Sequence, residues 1–225
     1  HGFLTVNGSK MSKSRGTLVE ARKYLDLLPP DALRYYLAAR LGSGVEDIDF
    51  DLTDFMQRVN SDLIGKFINL ASRSAGFLHQ HFDGKIGAFD PESPLHQARQ
   101  QAERIAQAYQ DREYKIAVRL IMDLADLSNR YIQQVKPWQL AKENSQDPQL
   151  SSCCSSIMAI FRLLTLYLKP VAPHLTQACE QLYMHPELTW EDAAMDPSQW
   201  IGIQLAPFKP LMQRLQLEQV QKLIQ

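Results

Sequence analysis

The segment DFMQRVNSDLIGKFINLASRSAGFLHQH, from Asp54 to His81, decides how this chain folds. At about 100° per residue its apolar and polar side chains separate onto two sides, which predicts one long amphipathic helix. A helix of this length buries such an apolar stripe by packing against other helices. The predicted buried positions are Phe55, Val59, Leu63, Ile64, Phe67, Leu70, Ala71 and Leu78, and the opposite face carries Asp62, Lys66, Asn69, Arg73 and Gln80.

The chain that follows this segment is also mainly helical by its apolar spacing. Short loops, several of them containing proline, separate the helical stretches, and short loops favour antiparallel neighbours. The expected fold class is therefore mainly α, with an antiparallel helical bundle and a polar loop over 144–152. The predicted helices cover 95–109, 114–135, 137–142, 157–168, 173–182 and 215–224, and we expect the last of them to pack back against the N-terminal part.

The chain before this segment predicts a small α/β subdomain. A short strand over 3–6 ends at Asn7-Gly8, a strong turn dipeptide. Thr17 and Glu20 have the spacing of a capping box, so Thr17 is the expected cap of a short helix. A second helix over 31–41 follows Pro29-Pro30 and ends at Gly42.

An acidic passage over 47–54 separates the two parts. It lacks the glycine and the terminal glutamate that a calcium loop needs at fixed spacing. We interpret it as a solvated connector, with Thr53 or Asp54 capping the long helix. The expected domains are 1–52 and 53–225.

Composition limits the function classes. The chain has 225 residues, 45% of them hydrophobic, and a formal net charge of −1. This charge argues against a broad basic surface, so any contact with RNA should come from local patches. Three cysteines, two of them adjacent, fit neither a disulfide framework nor a zinc site and predict a reducing, cytoplasmic location. No signal peptide or membrane-length apolar run is evident, and the histidines do not form a metal-site pattern.

The stretch Lys10-Met11-Ser12-Lys13-Ser14 is the first candidate site. Two lysines stand three residues apart among small hydroxyls, and Gly8 and Gly16 flank them as plausible hinges. A flexible cationic loop of this kind suits a polyphosphate. The alternative interpretation of any such lysine pair is a solvated basic turn.

The string K-M-S-K-S matches the ATP loop of class I aminoacyl-tRNA synthetases, and its neighbours Phe3 to Gly8 and Arg15-Gly16 resemble the methionyl-tRNA synthetase family. The resemblance implies that residues Lys10 to Ser14 bind ATP, which is used with Mg²⁺ as a substrate. It also implies that Lys13 is the catalytic lysine that meets the phosphates, with Lys10 in support. Thr17 departs from the family, in which an asparagine often follows Arg-Gly.

The second candidate site joins two helices. Asn69 and Arg73 are four residues apart and share a helix face, which the angular count places opposite the apolar stripe. Trp138 follows Pro137 where another helix ends. Amide and guanidinium groups read base edges, and an indole stacks on an unstacked base. The alternatives are a solvated face for the first pair and a core position for Trp138.

Resemblance to the methionyl-tRNA synthetases assigns this second site to the C-A-U anticodon of methionine tRNA. It implies that Asn69 and Arg73 contact the anticodon bases, that Trp138 stacks on them, and that Asn129 and Arg130 are possible helpers. The bundle would then be a class I anticodon-binding domain, and residues 1–52 the end of a catalytic domain with a stem-contact subdomain.

The resemblance further implies that the chain is the C-terminal piece of a methionine–tRNA ligase. The half with the H-I-G-H signature, which binds methionine and ATP, and a zinc-bearing insert should lie upstream. We therefore expect the piece alone to be inactive in methionine activation. Two alternatives remain open: a freestanding RNA-binding or partner-docking helical module, and a synthetase for cysteine or for another hydrophobic amino acid.

Overall fold

A small three-stranded sheet opens the fold in the computed structural model, which describes residues 2–184 and 187–224. The central strand pairs antiparallel with the second strand and parallel with the third. Asn7 and Gly8 connect the first two strands with φ of 47° and 72°, the geometry of a two-residue hairpin turn. The strands are β1 (Leu4–Val6), β2 (Ser9–Lys10) and β3 (Ile48–Phe50).

The third strand corrects the interpretation of 47–54 as a solvated connector. Ile48 and Phe50 are buried, and Asp49 between them is exposed. A three-residue strand is too short to stand out from the surrounding acids, and it is defined by its pairing with β1.

Two short helices, α1 (Ala21–Leu27) and α2 (Pro30–Ala38), follow β2, and Tyr36 of α2 packs on Phe50 of β3 with ring centroids 5.5 Å apart. The prediction that Thr17 caps the first of them is wrong. The helix begins after Glu20, whose side chain makes no capping hydrogen bond. The end predicted at Gly42 is also wrong, because α2 ends at Ala38.

The long helix is present and continuous, but its middle third is wider than an α-helix. It comprises α3 (Leu52–Val59), a π-helical segment (Asn60–Ile68) and α4 (Asn69–His81). Its cap is Asp51, which accepts a hydrogen bond of 2.7 Å from the backbone N–H of Asp54, rather than Thr53 or Asp54 as predicted. All the predicted stripe positions are buried except Ile64, which is half-buried.

The rest of the chain forms the expected helices with shifted limits. The helix predicted over 95–109 is two helices, and the polar loop is shorter because a proline starts the apolar helix at residue 148. The helices are α5 (Leu95–Gln100), α6 (Ala102–Gln110), α7 (Tyr114–Val135), α8 (Pro137–Glu143), α9 (Pro148–Leu168), α10 (Pro173–Glu180) and α11 (Leu217–Gln221). Short 3₁₀ turns lie at Gln181–Tyr183, Trp190–Ala193, Pro197–Trp200 and Lys222–Ile224.

Helix α9 is the centre of the bundle. It packs against α4, α7, α5 and α10, and the ring of Phe161 stacks on Phe67 with centroids 4.7 Å apart. By length and composition alone α9 is apolar enough to cross a membrane, which corrects the expectation that no apolar stretch has that length. Its apolar window is 89% buried inside the fold, which identifies it as a core helix.

The C-terminal segment packs back against the N-terminal part, as predicted. Helix α11 contacts α3, and the last 3₁₀ turn contacts α1. The side-chain amide of Asn60 exchanges two hydrogen bonds with the backbone of Leu215, of 2.8 and 2.9 Å. A second contact joins the N-terminal subdomain to the bundle: Arg34 of α2 donates hydrogen bonds to the backbone carbonyls of Val171 and Pro170.

Candidate functional site

The hairpin that carries the lysine loop is anchored at its root. The carboxylate of Asp49 accepts hydrogen bonds from the Thr5 hydroxyl at 2.7 Å and from the Gly8 N–H at 2.8 Å. The side-chain oxygen of Asn7 accepts from the N–H of Leu52 at 3.0 Å. The turn is therefore attached both to the sheet and to the first turn of the long helix.

Thr17 closes the loop on itself. Its hydroxyl accepts from the N–H of Ser12 at 3.0 Å and donates to the carbonyl of Lys10 at 2.9 Å, while its N–H donates to the carbonyl of Ser12 at 3.1 Å. The turn passes through Gly16, whose φ of +67° favours glycine. The threonine at which the sequence departs from the family thus has a local role.

The cations of this loop face solvent. Lys10, Lys13 and Arg15 are exposed, and no ion pair involves any of them in the described part of the chain. Met11 is half-buried and packs on the core, and the hydroxyl oxygens of Ser12 and Ser14 lie 3.0 Å apart. Met11 therefore fixes the loop to the core, and the charges of Lys10, Lys13 and Arg15 remain accessible to an anion.

The second candidate site is an open groove between α4 and the α7–α8 turn, hereafter the α4–α8 groove. Its volume is about 550 Å³. Arg73 is exposed at this groove, and Trp138 is half-buried, with part of its ring against the core. A side chain at Gly76 would meet no atom within 4 Å, so the groove is open at that point. The lining residues are Ser72, Arg73, Gly76, Phe77, Gln80, Gln133 and Trp138.

The turn between α7 and α8 places the indole at this groove. Lys136 ends α7 in the left-handed conformation, with φ of 54° and ψ of 60°, and Pro137 starts α8. The reversal brings Trp138, the second residue of α8, to the same groove as Arg73 although the two are far apart in sequence. A cation and a flat ring at one groove match the chemistry of an unstacked base.

Asn69 lies one helical turn before Arg73 but outside the lining of the groove. It is half-buried, and its amide N–H donates to the side-chain oxygen of Asn129 at 3.0 Å. The structure thus brings Arg73 and Trp138 together and ties Asn69 to Asn129 on α7. Arg130, the other suggested helper, is exposed.

Sequence reasoning missed Phe77 and Gln80 as lining residues. They follow Arg73 by four and seven residues, which is helical spacing, and that signal was available in the sequence. No group of three or more His, Cys, Asp or Glu side chains that could hold a metal ion is found in 2–184 or 187–224.

Comparison with known proteins matches both parts of the chain. Residues 1–75 match the family described as tRNA synthetases class I (M), and residues 94–225 match the anticodon-binding domain of tRNA ligase. The fold is similar to that of Mycobacterium tuberculosis methionyl-tRNA synthetase in complex with methionyl-adenylate, with a TM-score of 0.80 and 24% identity over 94% of this chain and 43% of the other.

The apo form of the same mycobacterial enzyme is also similar, with a TM-score of 0.74 and 20% identity over 96% of this chain. At these identities the likeness shows the fold. The chain spans less than half the length of these structures, 43% in each case.

Proposed function

The chain belongs to the family of anticodon-binding domains of tRNA ligases, and we propose that it is the part of a methionine–tRNA ligase that recognises tRNA(Met) and carries the ATP loop. Residues 1–52 would be the end of the catalytic domain with its stem-contact subdomain, and residues 53–225 the anticodon-binding bundle. Methionine and ATP with Mg²⁺ would bind through the remaining catalytic half.

The observation that carries this proposal is the shared groove of Arg73 and Trp138. Single-stranded bases are recognised by stacking on aromatic rings and by hydrogen bonds to their edges. The ring of Trp138 is half-buried and part of it already rests on the core, so little side-chain freedom is lost when a base stacks on the exposed part. Arg73 offers a planar set of donors to base edges or phosphates beside it.

The lysine loop has the composition that the activation step needs. In that step the methionine carboxylate attacks the α-phosphorus of ATP, the bond to the pyrophosphate oxygen breaks, and negative charge grows on the leaving group. An exposed lysine that meets this charge in the transition state accelerates the step more than one that only binds ATP. Lys13 would have this role and Lys10 would support it.

Binding of anticodon stem-loop RNAs tests the decoding role. At one fixed salt concentration, we expect a C-A-U loop to bind this chain at least about tenfold more tightly than loops of equal length with other anticodons. Equal binding of all loops would overturn the proposal in favour of a general RNA-binding module. Tighter binding of another anticodon would indicate a synthetase for a different amino acid.

A second assay addresses the catalytic role. Methionine-dependent exchange of pyrophosphate into ATP should be undetectable with the isolated chain and present when it is joined to a catalytic half. Clear exchange by the isolated chain would contradict the assignment of methionine binding to the remaining half.

A further inference from the structure

Asn7 joins the hairpin turn to the junction between β3 and the long helix. Its backbone N–H donates to the carbonyl of Phe50 at 3.3 Å, and its side-chain Oδ1 accepts from the N–H of Leu52 at 3.0 Å. The two bonds lie on either side of Asp51, the cap residue of the long helix. Only the oxygen of an amide accepts from an N–H, so the orientation of the Asn7 side chain is determined.

The bond to Leu52 completes the N-terminus of the long helix. The first N–H groups of a helix have no acceptor within that helix. The carboxylate of Asp51 accepts from Asp54, the third helical residue, whereas the acceptor for Leu52, the first, is Asn7. The long helix therefore takes one of its caps from the hairpin that precedes the lysine loop.

The lysine loop begins only a few residues after this attachment. The second strand of the hairpin ends at Lys10, and the loop closes on itself through Thr17. Lys10 and Lys13 are exposed. The positions of their charges therefore depend on how the backbone of the loop is anchored, and the hairpin turn is the root of that backbone.

A charge that stabilises a transition state is most effective when it is held in place before the reaction, because positioning it later costs part of the stabilisation. We propose that Asn7 is a positioning residue for methionine activation: its side-chain bond to Leu52 fixes the root of the lysine loop on the long helix, so that Lys13 reaches the departing pyrophosphate from a constant origin. This inference rests on the proposed function and deepens it. Asn7 acts here through Lys13 and not by contact with ATP.

Two substitutions separate the side-chain bond from the shape of the turn. Asn7 has a φ of 47°, so Asn7→Ala would strain the backbone as well as remove the bond. Asn7→Gly removes only the acceptor, because two consecutive glycines support the same two-residue hairpin turn. Asn7→Asp keeps an acceptor oxygen at the same position, and physiological salt screens its charge from neighbouring carboxylates.

Hydrogen exchange in the chain itself tests whether the bond holds in solution. In Asn7→Gly the amide of Leu52 should exchange with solvent deuterium roughly fivefold faster, and in Asn7→Asp it should exchange at close to the original rate. Asn144→Gly is the matched control, because the side chain of Asn144 also accepts a backbone N–H, from Gln146 at 3.1 Å in the loop between α8 and α9. Unchanged exchange of Leu52 in Asn7→Gly would overturn the inference.

Kinetics of the chain joined to a catalytic half test the positioning role. In pyrophosphate exchange, Asn7→Gly should lower kcat roughly 5- to 50-fold and leave KM for ATP within about twofold, because a contact made only in the transition state contributes to kcat. Asn7→Asp and Asn144→Gly should keep kcat within about threefold of the unsubstituted value. A purely structural role would instead reduce the fraction of active enzyme, which active-site titration measures.

The outcomes separate the inference from the function on which it rests. A kcat for Asn7→Gly equal to that of Asn144→Gly, an equal loss in Asn7→Asp, or a change confined to KM would overturn the inference while the unsubstituted enzyme still activates methionine. A reduced active fraction that accounts for the whole loss would do the same. Absence of activation by the unsubstituted chain joined to a catalytic half would overturn the proposed function and the inference together.

Discussion

The carboxylate of Asp31 accepts a hydrogen bond of 2.6 Å from the backbone N–H of Leu175, which lies 144 residues further along the chain. Leu175 is in the first turn of α10, where an N–H group has no partner within its own helix. The cap residue of this helix, Ala172, has no side chain that accepts a hydrogen bond. The carboxylate of Asp31, which is only 3% exposed, accepts it instead. The N-terminal subdomain thus supplies the cap of a helix in the bundle.

Removing this cap should destabilise the whole chain. For Asp31→Ala we expect the free energy of unfolding to fall by about 1–3 kcal/mol, because a buried N–H is left without a partner. Urea unfolding followed by circular dichroism measures the change. Asp26→Ala, on the exposed face of α1, should stay within about 0.5 kcal/mol of the unsubstituted chain. Equal stability of the two variants would show that the contact contributes nothing.

The α4–α8 groove contains two side chains that should be sensitive to substitution. Arg73→Ala and Trp138→Ala should each weaken binding of a C-A-U stem-loop by about 1–3 kcal/mol, through loss of base contacts and of the stacking surface. Fluorescence titration at fixed salt measures the dissociation constants. Arg104→Ala removes an exposed cation on α6 and serves as the control for net charge. A dissociation constant for Arg73→Ala no higher than for this control would argue against the decoding role.

Lys13 should affect the rate of activation and not the fold. When this chain is joined to a catalytic half, Lys13→Ala should slow pyrophosphate exchange roughly 10²- to 10³-fold, because one preorganised charge is lost from the transition state. Lys209→Ala, an exposed lysine in the C-terminal segment, should change the rate less than about twofold. A rate for Lys13→Ala that matches this control would remove Lys13 from the mechanism.

Thr17 should set how firmly the lysine loop is closed. Thr17→Val preserves the shape of the side chain and removes the hydroxyl that bonds to Ser12 and Lys10. We expect the amide of Ser12 to exchange with solvent deuterium roughly fivefold faster, since a hydrogen bond contributes about 1 kcal/mol. Thr17→Ser retains the hydroxyl and should exchange at close to the original rate. Unchanged exchange in the valine variant would show that the loop is closed by other contacts.

The three buried cysteines predict that their thiols are unreactive in the folded chain unless the pH is strongly alkaline. Burial raises the pKa of the Cys153 thiol from 9.0 to about 11, and burial also raises the pKa of Cys154 and Cys179. Alkylation at pH 8 should therefore leave all three unmodified in the folded chain and modify all three in urea. Ser61→Cys adds an exposed thiol that should react at once.

The same raised pKa values determine how stability varies with pH. The folded state holds these protons more tightly than the unfolded state, so the stabilisation is complete below pH 9.0 and is lost as the pH rises towards 11. Urea midpoints measured between pH 8 and 10.5 should fall with pH. A midpoint that rises over this interval would contradict the assignment of buried thiols.

The sequence was most informative where periodicity alone determines structure. Tyr114–Val135 was predicted to the residue, because its apolar repeat runs unbroken to Pro137. Thr17 was misassigned because the capping-box pattern is local, whereas its hydroxyl bonds back to Lys10 across the loop. The third strand requires a partner more than forty positions away and cannot be identified from three residues.

The candidate site likewise contains features that the sequence predicts and features that depend on contacts between distant residues. Helical spacing and the proline before the tryptophan predicted that Arg73 and Trp138 face outward, and in the structure both line one groove. The tie between Asn69 and Asn129 links residues sixty apart, and no periodic pattern in either helix encodes it. Contacts of this kind follow from how α4 packs beside α7, which the sequence does not specify by itself.

The π-helical segment Asn60–Ile68 sets the rotation of α4 relative to α3 about their common axis. A π turn accommodates about one more residue than an α turn, so winding the same nine residues as an ordinary α-helix would rotate every residue after them about the helix axis. The side chain of Arg73 would be unchanged but would point in a different direction, so this segment determines which residues of α4 face the groove.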